Sequence, residues 1–194
     1  MTVCTGNICR SPLAELLLAT RLDGLAEVDS AGVRGLNHAP MTAEAIDLAT
    51  EFGVPERAAA AHRSRYLTAG MLVAPDLILA MTRDHRRAIA EMAPGRLRST
   101  FTVREFARLA ASVSDEEIAR AAARDAVDGS AGARLRTAAT VIAGLRGLVP
   151  PPDDPAGDDV VDPYRRGREV YVKSAQQLLP ALTQVERVVR LVAA

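Results

Sequence analysis

Short β-type runs alternate with longer amphipathic ones through the first half of the chain, and this alternation restricts the fold more than any other feature. It predicts βαβ units around a parallel sheet, an α/β architecture. Glu27 to Ala31 reads as a short strand ending at Gly32. Asp76 to Met81 reads as a strand apolar throughout, as one buried on both faces should be, and Leu97 to Thr102 as the last strand. Leu13 to Leu22 sets Ala14, Leu17, Leu18 and Leu22 on one helical face, with Ser11 as N-cap and Pro12 at the first helical position. Further helices are expected over Met41 to Phe52, stopped by Gly53, and Arg83 to Met92, stopped at Ala93-Pro94-Gly95.

Beyond the last strand the period stays helical. Ser114-Asp-Glu-Glu117 has the form of a capping box and predicts a helix up to Ala126. Leu135, Ala138, Ile142 and Leu145 mark the inner face of the next. Pro150 to Asp159 reads as an exposed loop, and Arg168 to Val192 as a final helix kinked or broken at Pro180.

A chain of 194 residues supports one well-cored domain. Aromatics are only 3%, so the core must be built from Ala, Leu, Val and Ile, and an aromatic base-stacking surface for nucleic acid is not expected. Lys plus Arg, 24, balances Asp plus Glu, 24, which leaves no net field toward nucleic acid or an anionic membrane. Any anion binding must be local. The two cysteines, Cys4 and Cys9, are too close together to form a disulfide framework. No targeting segment opens the chain, and the most apolar stretch, Met71 to Met81, is interrupted by Pro75 and Asp76. These features predict a cytoplasmic, soluble protein without membrane insertion.

The chemistry is concentrated in Cys4-Thr-Gly-Asn-Ile-Cys-Arg10-Ser11-Pro12. A thiol ends a strand, an arginine follows, and a helix begins at once. A loop of this length wrapping into a helix N-terminus aims several backbone N–H groups at one point, which makes an anion cradle. Gly6 omits a side chain where the backbone turns, and Asn7 tolerates a left-handed conformation. Arg10 adds a planar fork matched to two phosphate oxygens. The same positive field favours the thiolate form of Cys4, a nucleophile under a bound phosphoryl group.

Val3-Cys-Thr-Gly-Asn-Ile-Cys-Arg-Ser-Pro12 resembles the signature of the low-molecular-weight protein tyrosine phosphatases. The likeness extends through Ser30-Ala-Gly32, His62-Arg-Ser-Arg-Tyr-Leu-Thr68, Asp76-Leu-Ile-Leu-Ala-Met81 and Asp162-Pro-Tyr164 to the C-terminal helix. The resemblance implies a flavodoxin-like three-layer fold with a four-stranded parallel sheet. One domain is expected over residues 1–194; the likeness leaves out about fifty residues between Ala107 and Asp158, whose apolar spacing predicts an extra helical insertion at about 107–158 after the last strand. It implies hydrolysis of phosphotyrosine on a protein substrate through a cysteinyl-phosphate intermediate, with no cofactor or metal. In that reading Thr5, Gly6, Asn7, Ile8, Cys9, Arg10 and Ser11 hold the phosphate. Cys4 attacks phosphorus and Arg10 clamps the transferred group, while Ser11 assists departure of the thiolate. Asn7, Ser11, Ser30 and His62 support the loop, and Asp162 protonates the leaving oxygen and then activates water.

Two features depart from the pattern. Only Met1, Thr2 and Val3 precede Cys4, which makes the first strand short, and Leu36-Asn-His38 stands where similar proteins often place an aromatic wall. Cys9 reads equally as a packing residue or as the partner of a reversible disulfide with Cys4. His38 and His85 read as solvent-exposed, and the Arg83 to Arg87 cluster as a solvated helix face. Two other functions fit the loop: an arsenate reductase using a low-molecular-weight thiol, and a phosphate-binding module without turnover. Asp162-Pro163 favours a phosphate ester.

Overall fold

The computed structural model describes residues 1–124 and 129–193. Four parallel strands, β1 (Thr2–Cys4), β2 (Ser30–Gly32), β3 (Ile78–Ala80) and β4 (Thr100–Thr102), form one sheet in the order β2-β1-β3-β4. In register, Val3 lies beside Ala31 and Ala80, and Leu79 beside Phe101. The strand order reverses between β1 and β3, and in such sheets the crevice for ligands opens there, beyond the carboxyl ends of the strands.

Side-chain alternation divides the sheet into two faces. Val3, Ala31, Ile78 and Ala80 pack with Leu67, Leu72 and Ile89 on one side. Cys4, Leu79, Met81 and Phe101 join the larger core on the other. Helix α4 (Arg83–Met92) brings Ile89 to the first face. Helices α1 (Arg10–Arg21), α2 (Ala43–Glu51), α5 (Val103–Ala110), α6 (Asp115–Arg124), α7 (Ala131–Gly144) and α8 (Arg168–Ala193) supply the second. A short helix, α3 (Glu56–Ala61), follows α2; its alanine run carries no apolar stripe that would mark it in the sequence, and it buries only Ala59. The result is the expected three-layer α/β fold with additional helices after the last strand.

Several boundaries differ from expectation. All four strands have three residues, so β1 is no shorter than its neighbours. The run from Pro94 to Ser99 is a 3-10 turn rather than the start of β4, closed by Thr100 Oγ1 bonding the Arg96 carbonyl at 2.8 Å. Helix α1 begins at Arg10 with Cys9, not Ser11, as N-cap, because the Ser11 hydroxyl is used elsewhere. Helix α8 continues through Pro180 without a break. The Ser114–Glu117 capping box forms, but the predicted end of its helix at Ala126 lies outside the described residues.

The 150–159 stretch is more ordered than an exposed loop. Asp154 caps a 3-10 turn over Pro155–Asp158, and Asp158 pairs with Arg108 at 2.8 Å. The extra helices also cover the outer edge of β4. Arg146, just past α7, stacks 4.3 Å over the Phe101 ring and donates to the Thr100 carbonyl at 2.7 Å. It also pairs with Glu105 at 2.8 Å, so the exposed ladder of an edge strand is capped. Among the described residues no helix is long and apolar enough to cross a membrane.

Candidate active site

Strand β1 carries Cys4 to the carboxyl end of the sheet, and the chain wraps back into α1 over the next five residues. Asn7 makes the wrap possible. Its φ of 56° is left-handed, and its buried side chain is fully bonded. Nδ2 donates to Ser11 Oγ at 3.0 Å and Ser30 Oγ at 2.6 Å, while Oδ1 accepts the Arg65 N–H at 2.8 Å. The Asn7 carbonyl accepts from His62 Nε2 at 2.9 Å. Ser30, having accepted from Asn7, donates onward to Glu15, whose carboxylate lies 3.6 Å from His62 Nδ1. Asn7, Ser11, Ser30 and His62 are therefore brought together, with Glu15 and Arg65 added. Glu15 had a sequence signal: it sits one helical turn after Ser11 among leucines.

Cys4 lies at the centre of this loop and is buried. Its sulfur accepts the Asn7 N–H at 3.3 Å and lies 3.0 Å from Ser11 Oγ. Because Asn7 already donates to Ser11, the serine's own proton is free to point at sulfur. The close approach that admits the loop is at Gly32, not at Gly6. A Cβ on Gly32 would stand 2.6 Å from the Thr5 carbonyl oxygen, whereas one on Gly6 would meet only Ile8 side-chain atoms at ordinary contact distance. Gly6 instead keeps the cavity floor bare.

Arg10 is 3% exposed, and its guanidinium is held from three directions. Nη1 donates to the Val160 carbonyl at 3.0 Å, and Nη2 donates to Thr5 Oγ1 at 3.3 Å and to Asp162 Oδ2 at 2.8 Å. Its Nε is buried with no hydrogen-bond partner among the described residues. An orphaned donor of a buried cation is costly unless something accepts from it. Asp162 itself is 51% exposed. Its Oδ1 accepts the Tyr164 N–H at 3.2 Å, and Pro163 behind it is buried.

The segment leading to Asp162 is strapped across the strand ends. Val160 N donates to the Met81 carbonyl at 2.8 Å, and Thr102 Oγ1 to the Asp158 carbonyl at 2.7 Å. Asp159 accepts the Arg83 N–H at 2.8 Å and pairs with its guanidinium. The Arg83 to Arg87 cluster is thus only partly a solvated face, since Arg83 is engaged in this strap and Arg86 donates to the Thr100 carbonyl.

A cavity of about 270 Å³ opens over the loop, with Cys4, Thr5 and Arg10 on its floor and Leu36, Asp162 and Tyr164 among its walls. Arg34 stands at its rim. A larger cavity of about 540 Å³ lies at the opposite end of the strands, lined by Leu18, Leu22, Leu135, Val185 and Val189, and it contains no cysteine. The sulfur of Cys9 faces away toward Thr42 at 3.5 Å and Tyr171 at 3.7 Å, and burial pushes its pKa up. Both cysteines are free thiols.

His85 contradicts its sequence reading as a solvent-exposed residue. It is 6% exposed, and its ring lies between Thr82 and Thr5 of the loop. The signal was available: Thr82 is an N-cap residue directly after β3, so the first turn of α4 must lie beside the end of β1. His38, by contrast, is exposed.

The fold and the loop define an α/β protein with a buried thiol at the centre of a loop that runs into a helix N-terminus at the sheet's switch point. The chain belongs to the low molecular weight phosphotyrosine protein phosphatase family, whose model matches residues 1–119. That match includes Cys4 to Ser11, Ser30 and His62, and ends before Asp162. The Escherichia coli K12 low molecular weight protein-tyrosine-phosphatase Etp is 48% identical over 94 residues, 48% of this chain and 61% of that protein. The chain thus spans less than two thirds of that relative's length. A Bacillus subtilis protein-arginine-phosphatase is 39% identical over 108 residues, 54% of this chain and 69% of that protein. Among solved structures, Vibrio vulnificus Wzb in complex with benzylphosphonate has a TM-score of 0.63 at 25% identity, covering 95% of this chain and 94% of that one.

Proposed function

We propose that the chain hydrolyses phosphotyrosine on proteins through a cysteinyl-phosphate intermediate. The observation that carries this reading is Arg10: a buried guanidinium with an unpartnered Nε, beside the Cys4 loop and facing a carboxylate. A phosphoryl oxygen on Nε would satisfy that donor, and a second on Nη2 would compete with Asp162 for the same edge. Binding then frees the carboxyl group to approach the leaving oxygen.

In the first step the Cys4 sulfur attacks phosphorus in line. The S–P bond forms as the P–O bond to the tyrosyl oxygen breaks, and Asp162 gives its proton to that oxygen. In the second, Asp162 takes a proton from water, which attacks phosphorus and breaks the S–P bond. Ser11, 3.0 Å from the sulfur, stabilises the departing thiolate. The first-turn N–H groups of α1 and Arg10 hold the charge of the loose transition state. Leu36 and Tyr164 give the walls apolar surface for an aryl group, Leu36 standing in for the aromatic wall.

Cys9 bears on the arsenate alternative. A reductase that relays a disulfide within the chain needs a second accessible thiol, and Cys9 is buried against Thr42 and Tyr171; a reductase using a low-molecular-weight thiol needs none, and the assay below separates it. The deciding experiment is a steady-state assay on phosphotyrosine, phosphoserine, phosphoarginine and arsenate. Phosphotyrosine should be turned over with the highest kcat/KM. Preference for phosphoarginine would move the substrate to that of the Bacillus relative, and thiol-dependent arsenate reduction alone would overturn the reading.

A further inference from the structure

The hydrolytic steps above leave His85 unused, yet its ring is bonded at both nitrogens. Nε2 lies 2.9 Å from Thr5 Oγ1, and Nδ1 lies 2.9 Å from Thr82 Oγ1. Burial, and then the nearby Arg10 cation, pull its pKa down to about 4. At neutral pH the ring therefore has one donor and one acceptor.

Donor counting favours the tautomer protonated on Nε2. Thr82 Oγ1 already accepts the backbone N–H of His85 at 3.3 Å. Among the described residues, only His85 Nδ1 can accept the Thr82 hydroxyl proton. If Nδ1 carried hydrogen, the half-buried Thr82 hydroxyl would have to turn its proton to solvent and Thr5 would spend its own on Nε2; if Nε2 carries it, every group between Thr82 and Thr5 is satisfied within the protein. Thr5 Oγ1 then receives two donors, His85 Nε2–H and Arg10 Nη2 at 3.3 Å. Both of its lone pairs are filled, and its own proton is left to point into the cavity it lines.

We propose that His85 is a positioning residue of this site: as the Nε2–H tautomer it fixes the Thr5 hydroxyl as a donor to an oxyanion seated on the Cys4–Arg10 loop. The proposal rests on the phosphate-binding part of the function proposed above. It adds a side-chain donor to the backbone amides and Arg10, and it explains why a neutral histidine stands behind a loop that binds anions. An imidazolium would add a charge at the positive end of α4, which the helix dipole and Arg10 both oppose.

Two measurements test it. Long-range ¹H–¹⁵N NMR of the wild-type protein reads the tautomer of each of the three histidines, with His85→Leu identifying the His85 signals. The Nε2–H form is expected, and the Nδ1–H form overturns the proposal. Inhibition constants for inorganic phosphate and vanadate are then measured for Thr5→Val, His85→Leu and the double variant. Each single variant should weaken binding by about tenfold, the size of one hydrogen bond to a charged group. If His85 acts through Thr5, the double variant binds no worse than Thr5→Val alone. His85→Gln, with an amide nitrogen near the place of Nε2, should restore part of the loss. Equal costs of His85→Leu in both backgrounds overturn the proposal while leaving the phosphatase reading intact. A wild-type protein that neither binds phosphate nor hydrolyses an aryl phosphate overturns both.

Discussion

The Asp162 carboxylate lies 2.8 Å from Nη2 of Arg10, so the proposed acid and the proposed phosphate clamp share one edge of a guanidinium. This contact draws the C-terminal third of the chain to a loop that runs from Cys4 to Ser11. Asp154, the other aspartate followed by proline, instead caps an exposed 3-10 turn through the Ala156 N–H at 2.9 Å. Asp162→Ala should lower turnover by roughly 10²- to 10⁴-fold on a phenol leaving group of high pKa, with a smaller loss on an activated phenol. Asp154→Ala should do little. Comparing kcat across a series of aryl phosphates checks the assignment, and a leaving-group dependence that follows Asp154 would overturn it.

Cys4→Ser should abolish hydrolysis while phosphate and vanadate still bind, because Arg10 and the loop amides remain and only the nucleophile is weakened. Stopped turnover with retained inhibitor binding, read by calorimetry, is the expected result. Substantial turnover by the variant would remove Cys4 from the nucleophile's role.

Gly32→Ala should be far more damaging than Gly6→Ala. The added methyl at position 32 would meet the Thr5 carbonyl at 2.6 Å and the backbone of Gly6 and Asn7 at about 3 Å. That clash involves backbone, so the loop itself must shift, and both the urea midpoint and kcat should fall. At Gly6 a methyl meets only Ile8, and the stability of Gly6→Ala should stay near wild type.

How much of this was legible before the structure depends on the range of each interaction. The Cys4–Arg10 cradle and the left-handed Asn7 are local, and chain connectivity alone delivers them. Asp162 could be named because its neighbours Pro163 and Tyr164 formed a motif. His85 could not, because its meaning lies in Thr5, eighty residues away and brought near only by the β1–β3 pairing. Asp158 and Asp159 look solvent-exposed in sequence for the same reason: their proline-rich context is a loop signal, and the arginines that order them come from α5 and α4. Gly32 was quoted in a motif, but a steric role shows only when the packed loop stands against it.

The additional helices should matter for stability rather than chemistry. Ile118 of α6 and Ile142 of α7 are buried in the same core as α8, so this part of the chain is not a detachable lid. Ile142→Ala should cost about 2–5 kcal/mol in unfolding free energy, with kcat per folded molecule unchanged. Replacing Ser114 to Leu148 by a short linker would uncover that surface and remove Arg146, and with it the contacts to Glu105 and the β4 edge. That variant should be much less stable, and any folded fraction should still hydrolyse a small aryl phosphate. Inactivity of a well-folded deletion would place part of the site in the extension.

The pH dependence of stability should carry the signature of His85. Its pKa is about 4 in the folded protein against 6.5 for an ordinary histidine, owing first to burial and then to Arg10, with Asp162, Asp84 and Asp159 pulling the other way. Between these values the unfolded chain binds a proton that the native state refuses, so unfolding gains free energy as the pH falls. The stabilisation is complete above about pH 6.5 and is lost progressively down to about pH 4, a change of about 3 kcal/mol from this one group. Asp162, Asp84 and Asp159 stand near the ring, so the histidine is isolated by comparison with a variant that keeps them. His85→Gln removes the titrating ring and leaves those carboxylates in place. Its urea midpoint should therefore fall less steeply than that of the wild type from pH 6.5 to 4, and the two curves should run parallel above that window. Parallel curves throughout would mean that the ring charges freely in the folded protein, and the buried bridge from Thr82 to Thr5 would have to be abandoned.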